Sequence, residues 1–224
     1  MFSEDTFTFL EELAANNNRA WFEDNKGRYE TLVREPALDF IAAMAPSLAK
    51  FAPNFRADPR KMGGSLMRVF RDTRFSRDKT PYKTNIGIQF RHALGKDVHA
   101  PGYYLHIASD ECFLGVGCWH PAADALGRIR ERIAEDPERW FAVRDDKKLR
   151  ALWALTGDSL ARPPRGYAAD HPAIEDLKRK DFIALAPLSP AEIVGPDLSK
   201  LATTRFSTAT PLMAFLCAAV GVSY

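Results

Sequence analysis

One segment of the chain carries most of its candidate chemistry, and that segment is strongly basic. Between residues 68 and 83 there are six cationic side chains and two acids, a local charge of +4 (6 − 2), whereas the whole chain carries +2. The cations are Arg68, Arg71, Arg74, Arg77, Lys79 and Lys83, and the acids are Asp72 and Asp78. A guanidinium presents a planar fork of donors that matches carboxylate or phosphate oxygens, and an ammonium adds a point charge. The segment therefore predicts a site for a phosphate, a nucleotide or a polycarboxylate.

The same segment has other interpretations, which the residues leave open. Charge runs are most often solvated loops, here with local Asp–Arg pairs. The cations could also form a structural brace that pairs with acids elsewhere, such as Glu23, Asp24 or Glu30. Phe75 and Tyr82 stand among the cations, and flat rings over a basic groove suit single-stranded nucleic acid. An exposed basic patch could also bind a protein, and for a nucleic-acid polymer one loop is a small footprint. A small anionic ligand is therefore the favoured partner, and nucleic acid is less favoured.

The residues that flank the basic segment predict a sheet. Apolar residues precede it and residues 86–90 alternate after it, so residues 64–90 are predicted to form a strand, a long polar loop and a second strand. Residues 103–108 and 112–119 also alternate, and a turn is predicted at residues 94–97. Because short turns join neighbouring antiparallel strands, we expect an antiparallel sheet of about four or more strands.

Helical periodicity dominates both ends of the chain. Apolar residues fall on one helical face at residues 7–14, and the three asparagines at residues 16–18 are predicted to end this helix and cap the next. Pro46 is predicted to kink or shorten a third helix, and the last helix is predicted at residues 210–220. The predicted fold is therefore α+β, a single domain over residues 1–224, with the sheet covered by N-terminal and C-terminal helices.

Further residues complete the predicted site. His106 lies in a predicted strand and is the candidate acid/base, since the pKa of imidazole lies near physiological pH, although a packing role stays open. Gly115 and Gly117 leave one strand face bare, which suits close packing or a ligand. The predicted catalytic residues are His106 and Asp72, the latter to orient an arginine. The predicted ligand-binding residues are Arg68, Arg71, Arg74, Lys79, Tyr82, Lys83, Asn85, Tyr104 and Trp119, with Tyr82, Tyr104 and Trp119 forming an aromatic wall.

Several functional classes lack their sequence signature. The chain has no HExxH motif, no GxxxxGK[ST] loop and no GxSxG elbow, and GVG at residues 115–117 lacks the third glycine of a dinucleotide fingerprint. We therefore predict no metal site and assign no cofactor. Three cysteines, an odd number without metal-like spacing, favour a reducing cytoplasm. No apolar run approaches the roughly 20 residues that span a bilayer, so no membrane association is predicted. The oligomeric state is left open.

Five stretches resemble the domain-of-unknown-function 2461 family. They are NNNRAWFEDNKGRYE (residues 16–30), RDTRFSRDKTPYKTN (residues 71–85), PGYYLHI (residues 101–107), GVGCWHP (residues 115–121) and RPPRGYAADHP (residues 162–172). The resemblance extends over nearly the whole chain and implies one family domain. It also implies a soluble protein of a bacterial or fungal kind, without an assigned activity. The chemistry must therefore come from the residues themselves.

Overall fold

An antiparallel sheet lies at the centre of the computed structural model, which describes residues 1–94 and 101–224. The strands are β1 (Phe55–Arg56), β2 (Asn85–His92), β3 (Gly102–Ala108), β4 (Cys112–Cys118), β5 (Ala154–Thr156) and β6 (Phe182–Pro187). Within the described ranges these six strands follow the order β1-β2-β3-β4-β6-β5, and every neighbouring pair is antiparallel. The predicted α+β class and antiparallel sheet are confirmed. A turn was predicted at residues 94–97, and residues 95–97 of it lie outside the described residues.

The strand register gives the sheet two different faces. Ile88 of β2 lies opposite Leu105 of β3, which lies opposite Leu114 of β4, and all three side chains are fully buried. Because side chains alternate along a strand, Tyr104 and His106 of β3 point to the other face, where both are only partly buried. The first face carries the core, and the second carries the polar candidates.

Helices from both ends of the chain cover the apolar face. The helices of the described ranges are α1 (Glu4–Ala15), α2 (Arg19–Asp24), α3 (Lys26–Tyr29), α4 (Glu35–Phe51), α5 (Ala123–Glu135), α6 (Pro137–Arg144), α7 (Lys147–Leu152), α8 (Ile174–Leu177), α9 (Pro190–Val194), α10 (Leu198–Thr208) and α11 (Thr210–Val220). Of these, α4, α10 and α11 contact the sheet directly. Phe206 of α10 packs edge-on against Phe90 and Tyr103, and Phe40 of α4 also packs on Phe90. The predicted cover of N-terminal and C-terminal helices is therefore confirmed. Within the described ranges, every helix is too short or too polar to cross a membrane.

Pro46 does not shorten its helix. A π-helical turn at Glu30–Arg34 joins α3 to α4, and α4 continues past Pro46 to Phe51. Proline lacks the N–H that would bond to the carbonyl of Ala42. Both Ala42 and Pro46 are exposed, so water can satisfy that carbonyl and the helix continues.

The basic segment forms a hairpin beside β2. We call residues 70–82 the basic hairpin, because an isolated bridge joins Phe70 to Tyr82 at its base. The predicted strand before the loop is present only as single bridges, including one between Leu66 and Ile88 on the edge of β2. A backbone hydrogen bond from the Lys83 N–H to the carbonyl of Val69 extends the base of the hairpin. The prediction of a regular strand at residues 64–70 was therefore wrong, although the chain does turn back there.

Candidate functional site

Asn17 holds the basic hairpin against the N-terminal helices. Its amide nitrogen donates to the carbonyl of Tyr82 at 2.9 Å, and the backbone N–H of Tyr82 donates to its amide oxygen at 3.0 Å. The side chain therefore pairs with Tyr82 as a neighbouring strand would. The ring of Tyr82 stacks on Phe22 of α2, with ring centroids 4.0 Å apart, and also contacts Phe70. These contacts fix the position of the hairpin base relative to α2.

A cavity of about 300 Å³ lies between α2 and the basic hairpin. It is lined by Arg19, Glu23, Phe70, Arg71, Thr73, Pro81 and Tyr82. Two arginines, Arg19 and Arg71, line the same space together with Thr73 and Glu23. The ring of Phe70 is exposed and forms an apolar wall. The lining thus combines cationic donors with a flat aromatic surface.

Two cations of the segment are paired with its own acids. Arg71 donates to the Asp78 carboxylate and to the Thr80 hydroxyl. The Arg71 side chain, together with bonds from Thr80, lowers the pKa of Asp78 to about 2. Arg74 donates to Asp72 at 2.7 Å and lowers the pKa of Asp72 to about 2 in the same way. The local pairing expected of a solvated loop is therefore present for two of the six cations.

The other four cations of the segment have no carboxylate partner within the described ranges. Lys79 donates to the carbonyl of Thr73 at 2.8 Å. Burial lowers the pKa of the half-buried Lys83, and the positive charge of Arg68 lowers it further. Arg68 and Arg77 are exposed, and neither makes a hydrogen bond or ion pair with any residue that the structure describes. The hairpin therefore keeps an excess of positive charge after its internal pairs are counted.

His106 belongs to a separate group on the second face of the sheet. Its Nδ1 lies 3.2 Å from the Tyr104 hydroxyl and 3.5 Å from the Asn85 amide nitrogen, and its ring stacks on Phe113 at 4.6 Å. Burial lowers the pKa of His106, partly opposed by the nearby charge of Glu111, and burial raises the pKa of Tyr104 to about 12. The Asn85 amide nitrogen can only donate, so Nδ1 is assigned as the acceptor, the protonated Tyr104 hydroxyl as its second donor, and the proton of the neutral ring to Nε2.

Trp119 lies far from the basic hairpin. Gly117 pairs with Gly102 at one end of β3, whereas Asn85 pairs with Ala108 at the other end. Six residues separate these ends, roughly 20 Å along a strand. The structure therefore does not assemble the aromatic wall predicted from Tyr82, Tyr104 and Trp119.

Asp72 also lies apart from His106. It is on the exposed hairpin and contacts Arg74, so it does hold an arginine. Within the described ranges, no contact joins Asp72 to the imidazole. The two residues predicted to be catalytic therefore do not form one site.

Arg19 and Asn17 were not predicted to contact the basic segment, and Glu23 was named only as an acid that could pair with its cations. All three lie in the NNNRAWFE stretch, whose asparagines were assigned to a helix boundary. Asn17 and Arg19 reach the hairpin across more than 50 residues of sequence, so local periodicity does not reveal the contact. The three adjacent asparagines were the one available signal, because a single asparagine suffices to cap a helix.

The fold and site define an α+β protein with an open antiparallel sheet, helices on one face and a basic hairpin beside β2. A family model described as "Conserved hypothetical protein (DUF2461)" matches residues 5–215, nearly the whole chain, and the chain belongs to this family. The resemblance seen in the sequence is thereby confirmed. No curated protein and no solved structure matches the chain. The family description names no ligand or reaction, so a function must be argued from the geometry.

Proposed function

We propose that the protein binds a small anionic ligand in the cavity between α2 and the basic hairpin. The observation that carries the proposal is that Arg19 and Arg71 line the same cavity of about 300 Å³, beside the Thr73 hydroxyl. Phosphate and carboxylate oxygens match guanidinium forks, and each charge-assisted hydrogen bond contributes roughly 1.5–3 kcal/mol. A cavity of this size suits a small molecule such as a phosphate, a nucleotide or a polycarboxylate.

The predicted ligand-binding residues divide by their distance from this cavity. Arg71 and Tyr82 line it, whereas Arg68, Lys79 and Lys83 lie outside its lining and keep an unpaired positive charge on the same segment. Arg74 is paired with Asp72 and also lies outside the lining. Asn85, Tyr104 and His106 form the separate group on the second sheet face, and Asn85 follows Tyr82 by three residues, roughly 10 Å. Binding is therefore the proposed function, and no catalytic step at His106 or Asp72 is part of it.

Two arginines allow a matched test of the proposal. Arg19 and Arg77 are both exposed, and neither is hydrogen-bonded or ion-paired within the described ranges, but only Arg19 lines the cavity. Binding of phosphate, pyrophosphate, citrate and nucleotides is followed by thermal shift and calorimetry at constant ionic strength. Arg19→Gln is expected to weaken the Kd of the best ligand about tenfold, the loss of one charge-assisted bond. Arg77→Gln is expected to change it much less.

Two outcomes would contradict the proposal. Equal effects of the two substitutions would mean that only the net charge matters and that the cavity is not the site. Absence of stabilisation by every one of these anions, at concentrations far above any reasonable Kd, would remove the proposal altogether, because a ligand that binds only the folded state must stabilise it.

The tip of the hairpin supports a second candidate function, binding of single-stranded nucleic acid. Phe75 is 95% exposed, and the Arg74 guanidinium lies 5.8 Å from the centre of its ring. Exposed rings among cations are the surface on which bases stack. Phe75→Ser should then weaken oligonucleotide binding, with a steep salt dependence, and leave phosphate binding in the cavity unchanged. If oligonucleotides bind equally well without Phe75, this second candidate is rejected.

A reducing, cytoplasmic location belongs to the same proposal. Cys112, Cys118 and Cys217 are all free and buried, so none contributes a disulfide. Burial raises the pKa of Cys112, the least deeply buried of the three, which keeps its thiol protonated. Unpaired thiols are typical of proteins that work in a reducing compartment.

A further inference from the structure

A second cluster of polar residues lies at the end of β4, away from the basic hairpin. Nδ1 of His120 lies 3.2 Å from a carboxylate oxygen of Asp181. The Asp181 side chain is 2% exposed, whereas the His120 side chain is 49% exposed. The same carboxylate accepts the backbone N–H groups of His120, at 2.6 Å, and of Asp158, at 3.0 Å. A buried carboxylate thus holds the backbone of His120 and lies beside one nitrogen of its exposed imidazole.

The backbone at His120 adopts a conformation that histidine does not favour. Its φ is 46°, and it is the one non-glycine residue with positive φ among residues 1–94 and 101–224. Glycine or asparagine would adopt this conformation at lower cost and would keep the N–H bond to Asp181. The backbone bond therefore does not require an imidazole. Strained residues of this kind cluster at functional sites.

Asp181 determines which nitrogen of His120 is available for chemistry. The negative charge of Asp181, 3.2 Å from Nδ1, favours a proton on that nitrogen, which leaves the lone pair of the neutral ring on Nε2. Nε2 has no hydrogen-bond partner within the described ranges. Trp119 is 53% exposed, and its ring centre lies 4.6 Å from that of His120. An exposed nucleophilic nitrogen therefore adjoins an exposed aromatic surface.

We propose that His120 and Asp181 form a reactive centre for acyl compounds, with Trp119 packing against a flat group of the substrate. Nε2 attacks the carbonyl carbon of an ester and forms an N–C bond. The C–O bond then breaks, and the leaving alkoxide or phenoxide departs with the electron pair. The carboxylate charge of Asp181, 3.2 Å from Nδ1, stabilises the resulting acyl-imidazolium. Water attacks the acyl carbon, its two protons pass to solvent, the carboxylate leaves, and neutral imidazole is restored.

The test uses 4-nitrophenyl acetate, an activated ester with a flat leaving group, and the full chain. His120→Asn is expected to lower the release of 4-nitrophenolate roughly 100-fold, toward the rate in buffer, while the stability stays equal or rises. His171→Asn is the matched control, because His171 is half-buried at another turn, where its Nδ1 accepts the N–H of Ala173 at 3.1 Å. This control is expected to keep the wild-type rate.

Two further variants separate positioning from packing. Asp181→Asn is expected to lower kcat with KM unchanged, since a neutral amide cannot stabilise the acyl-imidazolium. Trp119→Leu is expected to raise KM with little change in kcat. The proposal is overturned if His120→Asn keeps the wild-type rate, or if the wild type is no faster than free imidazole at the same concentration. It is also overturned if His120→Asn destabilises the fold as much as Asp181→Asn, because the imidazole would then serve the fold alone.

Discussion

Replacing each of the three adjacent asparagines by alanine should give three different losses of stability. Asn16 donates only to the Glu12 carbonyl on an exposed helix end. Asn18 accepts the N–H of Trp21 and caps α2. Asn17 alone makes two long-range hydrogen bonds, both to the backbone of Tyr82. We expect the loss of stability to be largest for Asn17→Ala, intermediate for Asn18→Ala and smallest for Asn16→Ala.

The magnitudes follow from what each substitution leaves unpaired. Asn17→Ala removes two hydrogen bonds and leaves the partly buried N–H and C=O of Tyr82 without a partner. It should therefore lower the free energy of unfolding by about 2–3 kcal/mol. Loss of the Asn18 cap should cost about 1 kcal/mol. Asn16→Ala should stay within about 0.5 kcal/mol, as exposed substitutions usually do.

Urea unfolding followed by circular dichroism gives the three free energies, and calorimetry gives the corresponding Tm values. For a chain of this size, Asn17→Ala should lower Tm by roughly 7 °C. The m-value should be unchanged, because the surface exposed on unfolding stays the same. If Asn17→Ala and Asn16→Ala gave the same free energy, Asn17 would not hold the hairpin, and the geometry assigned to the cavity would lose its support.

Three further predictions concern other parts of the chain. Gly117→Ala should cost more than about 2 kcal/mol by denaturant unfolding, because φ is +115° and the added Cβ would lie 2.0 Å from a carbonyl oxygen of β6. The control is Gly127→Ala, in open space on α5, which should be neutral or stabilising. A similar loss of stability in the control would refute the steric argument. Tyr104→Phe should raise the pKa of His106, measured by NMR titration, because the lost hydroxyl stabilises the neutral ring; an unchanged pKa would show that the contact is not a hydrogen bond. Asp78→Asn should lower Tm at neutral pH and lose this effect near pH 2. Because the pKa of Asp78 is lowered from 3.8 to about 2, its ion pair contributes fully to stability above pH 3.8 and not at all below pH 2. An effect on Tm that persists at low pH would exclude the ion pair as its cause.

The strands that could be predicted are those long enough to show a period of two. Residues 86–90, 103–108 and 112–119 alternate clearly, and β2, β3 and β4 appear there. β1 and β5 contain two and three residues, which is too short for any period to be recognised. Each forms by pairing with the exposed edge of a longer strand, β1 with β2 and β5 with β6. That edge exists only once the sheet has assembled, so the local sequence does not predict it.

The candidate site was predictable only in its local part. The pairings of Asp72 with Arg74 and of Asp78 with Arg71 join near neighbours in sequence, so the charge pattern anticipates them. The contribution of Arg19 depends on where α2 packs, which no local pattern specifies. Trp119 lies outside the site for a related reason. The alternation of a strand predicts which face a side chain points to, but not how far apart two residues lie along the strand.

The stacking of Tyr82 on Phe22 would make the proposed anion binding conditional on a contact between residues far apart in sequence. Sixty residues separate these two rings (82 − 22), and closing a loop of that length costs entropy before the contact forms. A nascent or partly unfolded chain whose first helices have not docked would have the cationic loop but no pocket beside it. An anion present at about 100 times its Kd would add roughly 2.7 kcal/mol to the docked state alone. Its cellular concentration could then set how much of the protein is folded and resistant to proteolysis.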